Sequence, residues 1–285
     1  MRRSIELHGH RGARGLFPEN TLAGFVGALN IGVDTLELDV AMTLDDVVVV
    51  SHDAALNADI TRAPGGVWLA GHGPPIRSLR VADLTQYDVG RIRPGSAYAA
   101  AFPDQTPRDG SRIPALADVL RVDPGARFNI ELKTFPMQPG LTVDGTTMAE
   151  AVLAVAHATG TIGRITVQSF DWRGPRHLRR IRPDMRLAWL TRAAILPMAR
   201  VWWGGPDPAD FGGSVPRAVA GEGGGIWAPE HVDLTEESMA EAHGLGLRVI
   251  PWTVNRPDDM RRLIDWGVDG LITDRPDIAR TVMAD

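Results

Sequence analysis

Eight short apolar runs alternate with helical patterns along this chain, and that rhythm restricts its fold more than any other feature. The runs fall at 5–9, 35–40, 128–132, 165–168, 187–190, 225–228, 249–253 and 270–273. Helical patterns occupy 21–30, 115–121, 146–158, 174–181, 236–244, 258–265 and 277–283, and a poorly defined one precedes Gly221. Strands that alternate with helices pair in parallel through right-handed crossovers. Eight such units predict a closed (β/α)8 barrel, a TIM barrel, and 285 residues suit it as a single domain spanning 1–285. Asn20 and Thr235 precede helices as expected caps, and Gly32, Gly160 and Gly267 sit where left-handed C-terminal caps are wanted.

Two stretches break the rhythm. Residues 54–112 are rich in Gly and Pro and contain one short helical pattern, 81–87. A structureless loop of that length is rare inside a barrel, so the stretch reads as an inserted subdomain after the second strand. Residues 193–224 carry Trp202 and Trp203 among several prolines and glycines. They read equally as an apolar lip over a site and as a surface loop with two packed tryptophans.

Bulk chemistry removes several functions. A net charge of −5 argues against a dedicated nucleic-acid binder. No run of 18 apolar residues exists, so no transmembrane helix is expected. With no cysteine there is no disulfide, thiolate metal site or cysteine nucleophile. P-loop, dinucleotide and nucleophile-elbow motifs are all missing. Residues 1–10 lack the apolar core of a signal peptide. The expected location is the cytoplasm, with a removed secretory leader as the alternative. Nothing addresses the oligomeric state.

What remains is an unusual set of charges at the predicted carboxyl ends of strands. Glu37 and Asp39 are two apart on one strand, so both face the same way while Leu36, Leu38 and Val40 face the other. Two buried carboxylates repel and lose hydration unless a cation joins them. Glu131 repeats the pattern on the next strand, with Lys133, the only lysine in the chain, on its own face. An all-oxygen ligand set favours one Mg²⁺ or Ca²⁺ over zinc. The bland reading is a buried ion-pair network. His10 and His52 follow apolar runs near these acids. Two imidazoles at one phosphorus centre can divide the proton transfers of ester hydrolysis. Arg11 supplies a fork for phosphate oxygens, and Lys133 a compact charge.

The motifs around these residues resemble the glycerophosphodiester phosphodiesterase family. They are His10-Arg-Gly, Pro18-Glu-Asn-Thr21, Glu37-Leu-Asp39, Thr43-Leu-Asp45, His52-Asp53, Ile113-Pro-Ala-Leu116, Asn129-Ile-Glu-Leu-Lys133, Gln168-Ser-Phe170, Trp252-Thr-Val-Asn255 and Gly270-Leu-Ile-Thr-Asp274. They occur in family order over nearly the whole chain. The resemblance implies a TIM barrel with an insertion after the second strand, catalytic His10 and His52, and metal ligands Glu37, Asp39 and Glu131. It further implies phosphate contacts at Arg11 and Lys133, and an aromatic pocket wall at Trp252. Gln168 and Asn255 are expected near substrate.

The expected reaction is metal-dependent cleavage of a small-molecule glycerophosphodiester to glycerol 3-phosphate and an alcohol. Either water or the substrate's neighbouring hydroxyl serves as nucleophile. The alternative is lysophospholipase D or sphingomyelinase D-like cleavage of acylated diesters, with Trp68, Trp202 and Trp203 forming an apolar groove.

Overall fold

The computed structural model describes residues 5–284. Nine strands are β1 (Glu6–Gly9), β2 (Thr35–Met42), β3 (Val48–Val50), β4 (Phe128–Leu132), β5 (Ile165–Ser169), β6 (Arg186–Thr191), β7 (Ile226–Pro229), β8 (Arg248–Val249) and β9 (Gly270–Thr273). All except β3 pair in parallel, in the spatial order β8-β7-β6-β5-β4-β2-β1-β9. The two ends of this path meet through backbone hydrogen bonds, Asp269 N to Val249 O at 2.9 Å and Ile272 N to Pro251 O at 3.0 Å. The result is a nearly closed barrel of eight parallel strands, a TIM barrel as expected. Its seventh parallel strand, β8, is shorter than the 249–253 run suggested. Pro251 has no N–H to donate, so the regular ladder stops before it.

Helices cover the outside. In chain order they are α1 (Leu22–Ile31), α2 (Val81–Leu84), α3 (Ala97–Ala101), α4 (Leu116–Val119), α5 (Gly145–Ala158), α6 (Arg173–Ile181), α7 (Ala199–Trp202), α8 (Val215–Gly221), α9 (Glu236–Gly244), α10 (Pro257–Asp265) and α11 (Pro276–Ala284). None of the helices is long and apolar enough to cross a membrane, among the described residues. Strand residues alternate between two cores. Leu36, Leu38, Val40, Ile130 and Val167 pack outward against the helices. Ala188, Leu190, Ile226, Ala228, Ile250 and Ile272 fill a smaller cluster inside the barrel. Leu36 and Leu38 being in the outer core puts Glu37 and Asp39 on the inner face.

Thr21, not Asn20, caps α1. Its hydroxyl accepts from Gly24 N at 3.0 Å, while Asn20 sits in a left-handed conformation with φ 54°. Thr235 caps α9 in a reciprocal box with Ser238. Gly32 closes α1 with φ 95°, a conformation that costs glycine little.

The departure from barrel rhythm starts before residue 54. β3 folds back antiparallel on the outer end of β2, pairing Val40 with Val50. This hairpin returns the chain to the level of Asp39, whose carbonyl accepts from Ser51 N at 3.0 Å. Beyond it, residues 54–112 are compact, although α2, α3 and two 3₁₀ turns are their only helical elements. Leu56, Ile76 and Leu84 pack with Ala41 and Val49 of the hairpin. An apolar nucleus shared with β2 and β3 gives the segment a fixed seat beside the barrel mouth.

Candidate active site

Parallel register brings the carboxylates together. Asp39 pairs with Glu131 across β2 and β4, and Glu37 lies two residues before Asp39. One oxygen from each of Glu37, Asp39 and Glu131 lies within 4.8 Å of the other two, and all three residues are buried. Lys133 Nζ reaches Glu131 Oε1 at 2.7 Å and Asp39 Oδ1 at 3.1 Å. The Asp39 contact lies outside hydrogen-bonding geometry, so that buried oxygen has no hydrogen-bond donor.

The three carboxyls differ sharply in acidity. Burial and the charges of Asp39 and Glu131 hold the Glu37 carboxyl well above its usual range. Burial pushes Glu131 up to about 7 against the pull of Lys133. Asp39 also suffers burial, yet the cations Lys133 and Arg11 bring it well below the usual range. Protein cations therefore serve Asp39 and leave Glu37 and Glu131 short of positive charge. An orphaned carboxylate oxygen and two undercompensated acids in an all-oxygen set fit a hard divalent cation. This triad could bind one.

Glu37 is aimed by its neighbours. Arg11 N donates to Oε2 at 2.9 Å, and Gln168 Nε2 donates to Oε1 at 3.0 Å. Gln168 is aligned in turn by Asn129, 3.0 Å away. The Arg11 donor is presented by a tight turn after β1. Arg11 has φ 51°, and a Cβ on Gly9 would lie 2.0 Å from Gly12 O. That turn excludes any larger residue at Gly9.

Both sequence-predicted histidines reach this cluster. His10 Nε2 lies 4.0 Å from Glu37 Oε2, and its Nδ1 lies 2.7 Å from Asp274 Oδ1. Burial lowers the His10 pKa to about 4, although Asp274 pulls it upward. Asp274 remains ionised because His10 and Arg14 outweigh its burial. The network therefore assigns the proton to Nδ1, which donates to Asp274 and leaves the Nε2 lone pair toward the site. His52 has the same design at the mouth: its Nδ1 lies 2.7 Å from Asp53 Oδ1, and Asn57 Nδ2 donates to Asp53 Oδ2 at 2.8 Å. Burial, with Lys133 and Arg11 nearby, lowers its pKa.

Several participants had no role assigned from the sequence, and Asn255 and Asn20 have a different one from that expected. Asp274 is the carboxylate behind His10, also held by Arg14 through contacts of 2.9 and 3.0 Å. Its signal was an acid just past the last apolar run, next to His10 once Gly9 pairs with Thr273. Asn255 steadies Asp274, donating at 2.7 Å, and does not line the cavity. Glu19 holds Arg11 Nη1 at 2.7 Å and accepts from the Tyr98 hydroxyl of α3. Asn20 donates to Asp39 Oδ2 at 3.0 Å, which is the use of its left-handed backbone.

These groups open into a cavity of about 380 Å³ lined by His10, Arg11, Glu37, His52, Glu131 and Lys133 on one side and by Phe170, Leu190, Trp202 and Trp252 on the other. Trp252 donates to Ala228 O at 3.0 Å and meets Phe170 edge-on at 5.5 Å. The groove suggested for Trp68, Trp202 and Trp203 does not form from all three. Trp203 is fully buried and stacks on Trp172 at 3.9 Å. Trp68 lies beneath Arg62 and Arg93, away from the cavity lining.

A barrel whose mouth couples a cation-ready acid cluster to paired imidazoles belongs to the phosphoric diester hydrolases. The model of the glycerophosphoryl diester phosphodiesterase family matches residues 10–278, and the chain is a member of that family. It is 28% identical to a glycerophosphodiester phosphodiesterase of Bacillus subtilis, over 96% of this chain and 84% of the relative. A Silicibacter pomeroyi protein, solved as a candidate glycerophosphoryl diester phosphodiesterase, superposes with a TM-score of 0.90 and 37% identity, covering 99% of this chain and 94% of its own. An Oleispira antarctica phosphodiesterase in complex with sn-glycerol-3-phosphate shares the fold, with a TM-score of 0.72, 20% identity, and coverage of 98% and 97%.

Proposed function

We propose that the protein hydrolyses glycerophosphodiesters to glycerol 3-phosphate and an alcohol, and needs one divalent cation, Mg²⁺ or Ca²⁺, to do so. The observation that carries this reading is the meeting of Glu37, Asp39 and Glu131 within 4.8 Å beside two imidazoles. The three carboxylates would hold the cation. When bound, it would polarise the phosphoryl oxygens and meet their growing charge.

The chain's own residues do the rest. Arg11 and Lys133 contact the phosphate, and both stay charged at neutral pH. His10 and His52 share the proton transfers. One imidazole takes the proton of the attacking hydroxyl, and the other, entering the step as the imidazolium, gives its Nε2 proton to the departing alkoxide. Asp274 and Asp53 hold each ring by Nδ1, so Nε2 is the working atom in both. Each dyad steadies the positive charge that a ring gains when it acts as base. Trp252 and Phe170 form the wall against which the organic part of the substrate rests. Residues 54–112 act as an inserted subdomain, with Tyr98 bracing Glu19 and therefore Arg11.

The test is an assay of the purified protein on glycerophosphoglycerol, with glycerol 3-phosphate measured with and without chelator. Product formed only with added cation supports the reading. Equal turnover in excess chelator would sink the metal requirement, and no turnover on any glycerophosphodiester would sink the activity. A cyclic phosphate among the products would identify the substrate's own hydroxyl as nucleophile.

A further inference from the structure

The cavity is divided by strand order. β1, β2 and β4 carry His10, Glu37 and Glu131, whereas the aromatic side is built on β5 and on the chain after β6 and β8, across the barrel. Among the described residues that second half contains no carboxylate: Glu37 and Glu131 are the only described acids in the lining, and both belong to the first. It does contain a charge, Arg192, directly after β6 and beside Ile195, Trp202 and Trp252. The guanidinium has one partner, Glu230, 3.6 Å from Nε. Its side chain is 43% exposed, and its Nη atoms hydrogen-bond to no described residue. An ion pair this long and this exposed contributes little, so it leaves the Nη pair free to engage another anion.

Building on the diesterase reading, we infer that Arg192 selects the alcohol half of the substrate by charge, favouring diesters whose alcohol carries a second acidic group and disfavouring cationic head groups. A quaternary ammonium would find aromatic faces here, which ordinarily attract it. The guanidinium at the same wall, offset only by Glu230 at 3.6 Å outside the described lining, reverses that preference. A carboxylate or phosphate on the alcohol can instead accept two parallel N–H bonds from the free Nη side.

Three substrates with the same glycerophosphoryl half test this. They are glycerophosphocholine, glycerophosphoglycerol, and glycerophosphoglycerol phosphorylated on its terminal hydroxyl. The expected order of kcat/KM is anionic, then neutral, then cationic, with about tenfold between the extremes, the scale of one partly solvated charge-assisted contact. Arg192→Gln should bring the three values together, and Arg192→Lys should keep the order with a smaller spread. Ratios within one preparation are insensitive to partial misfolding, and the wild-type order decides even if Arg192→Gln fails to fold. A wild type that prefers glycerophosphocholine, or an Arg192→Gln variant with unchanged ratios, overturns the assignment. Absence of glycerol 3-phosphate from all three defeats the diesterase reading itself, whereas turnover in the wrong order defeats only the role of Arg192.

Discussion

His10 Nδ1 and Asp274 Oδ1 are 2.7 Å apart, although 264 residues separate them in the chain. Register between β1 and β9 sets Gly9 beside Thr273, so the residues that follow each strand meet. The carboxylate fixes the ring's tautomer and would stabilise its protonated form. Replacing Asp274 with Asn keeps the shape and removes the charge. A roughly 10- to 100-fold fall in kcat with little change in KM is expected, as for other partners that orient a working ring. The kcat–pH profile should also shift its base limb to lower pH. An unchanged profile would make Asp274 merely structural. Asp274→Ala should unfold more readily, since the largely enclosed Arg14 would lose the carboxylate it is ion-paired with.

The imidazoles themselves should matter more. His10→Ala and His52→Ala are each expected to lower kcat by about 10²- to 10⁴-fold. Circular dichroism and melting should remain close to wild type for His52→Ala, whose ring is half-buried at the mouth. Near-normal turnover in both variants would refute acid–base catalysis by this pair.

Cation binding should depend on pH in a defined direction. Glu131 titrates at about 7 and Glu37 lies well above the usual carboxylate range, so both bind protons in the cation-free state near neutrality. Ligation requires their ionised forms, and binding therefore releases protons. In the cation-free fold these raised carboxyls weaken stability as pH climbs from the ordinary glutamate pKa through about 7. The buried histidines have the opposite sign. Held below 6.5, with His10 at about 4, they add stability as pH rises between those values. The cation-induced rise in Tm isolates the ligand term, and it should grow from pH 5 to pH 8. Differential scanning fluorimetry in buffers with and without Mg²⁺ measures it. A constant or shrinking increment contradicts the assignment of Glu37 and Glu131 as ligands.

The adjacent tryptophans should separate stability from binding. Trp203 is fully buried against Trp172, so Trp203→Ala should cost about 3–5 kcal/mol of stability. Trp202 lines the cavity instead, so Trp202→Ala should raise KM and change Tm much less. Equal effects from the two substitutions would mean that the stretch after β6 packs differently.

The barrel was legible because its eight parallel strands are local: each is a short apolar run with a helix behind it. Two acids of the triad were legible for the same reason, whereas Glu131 meets them only through the register of β2 and β4. Glu37 and Asp39 reveal their shared face by spacing alone. What the sequence concealed is non-local or angular. The β2–β3 hairpin is visible only as Val48–Val50, too short to distinguish from loop. Asp274 behind His10 depends on strand register, and Asn20 on a left-handed backbone that turns a presumptive cap toward Asp39. Residues 54–112 owe their order to contacts with Ala41 and Val49 rather than to any period of their own. Trp202, the last residue of one short helix, lines the cavity while the next residue, Trp203, stacks on Trp172 in the core, which no lip-or-loop reading separates.

The most direct measurement is anomalous diffraction from crystals soaked in Mn²⁺, collected near the manganese edge. The account predicts a single strong peak within about 2.0–2.6 Å of one oxygen each from Glu37, Asp39 and Glu131, the range for hard cations on carboxylates. A map with no peak among those oxygens, with Lys133 still bridging Asp39 and Glu131 at millimolar metal, would contradict it.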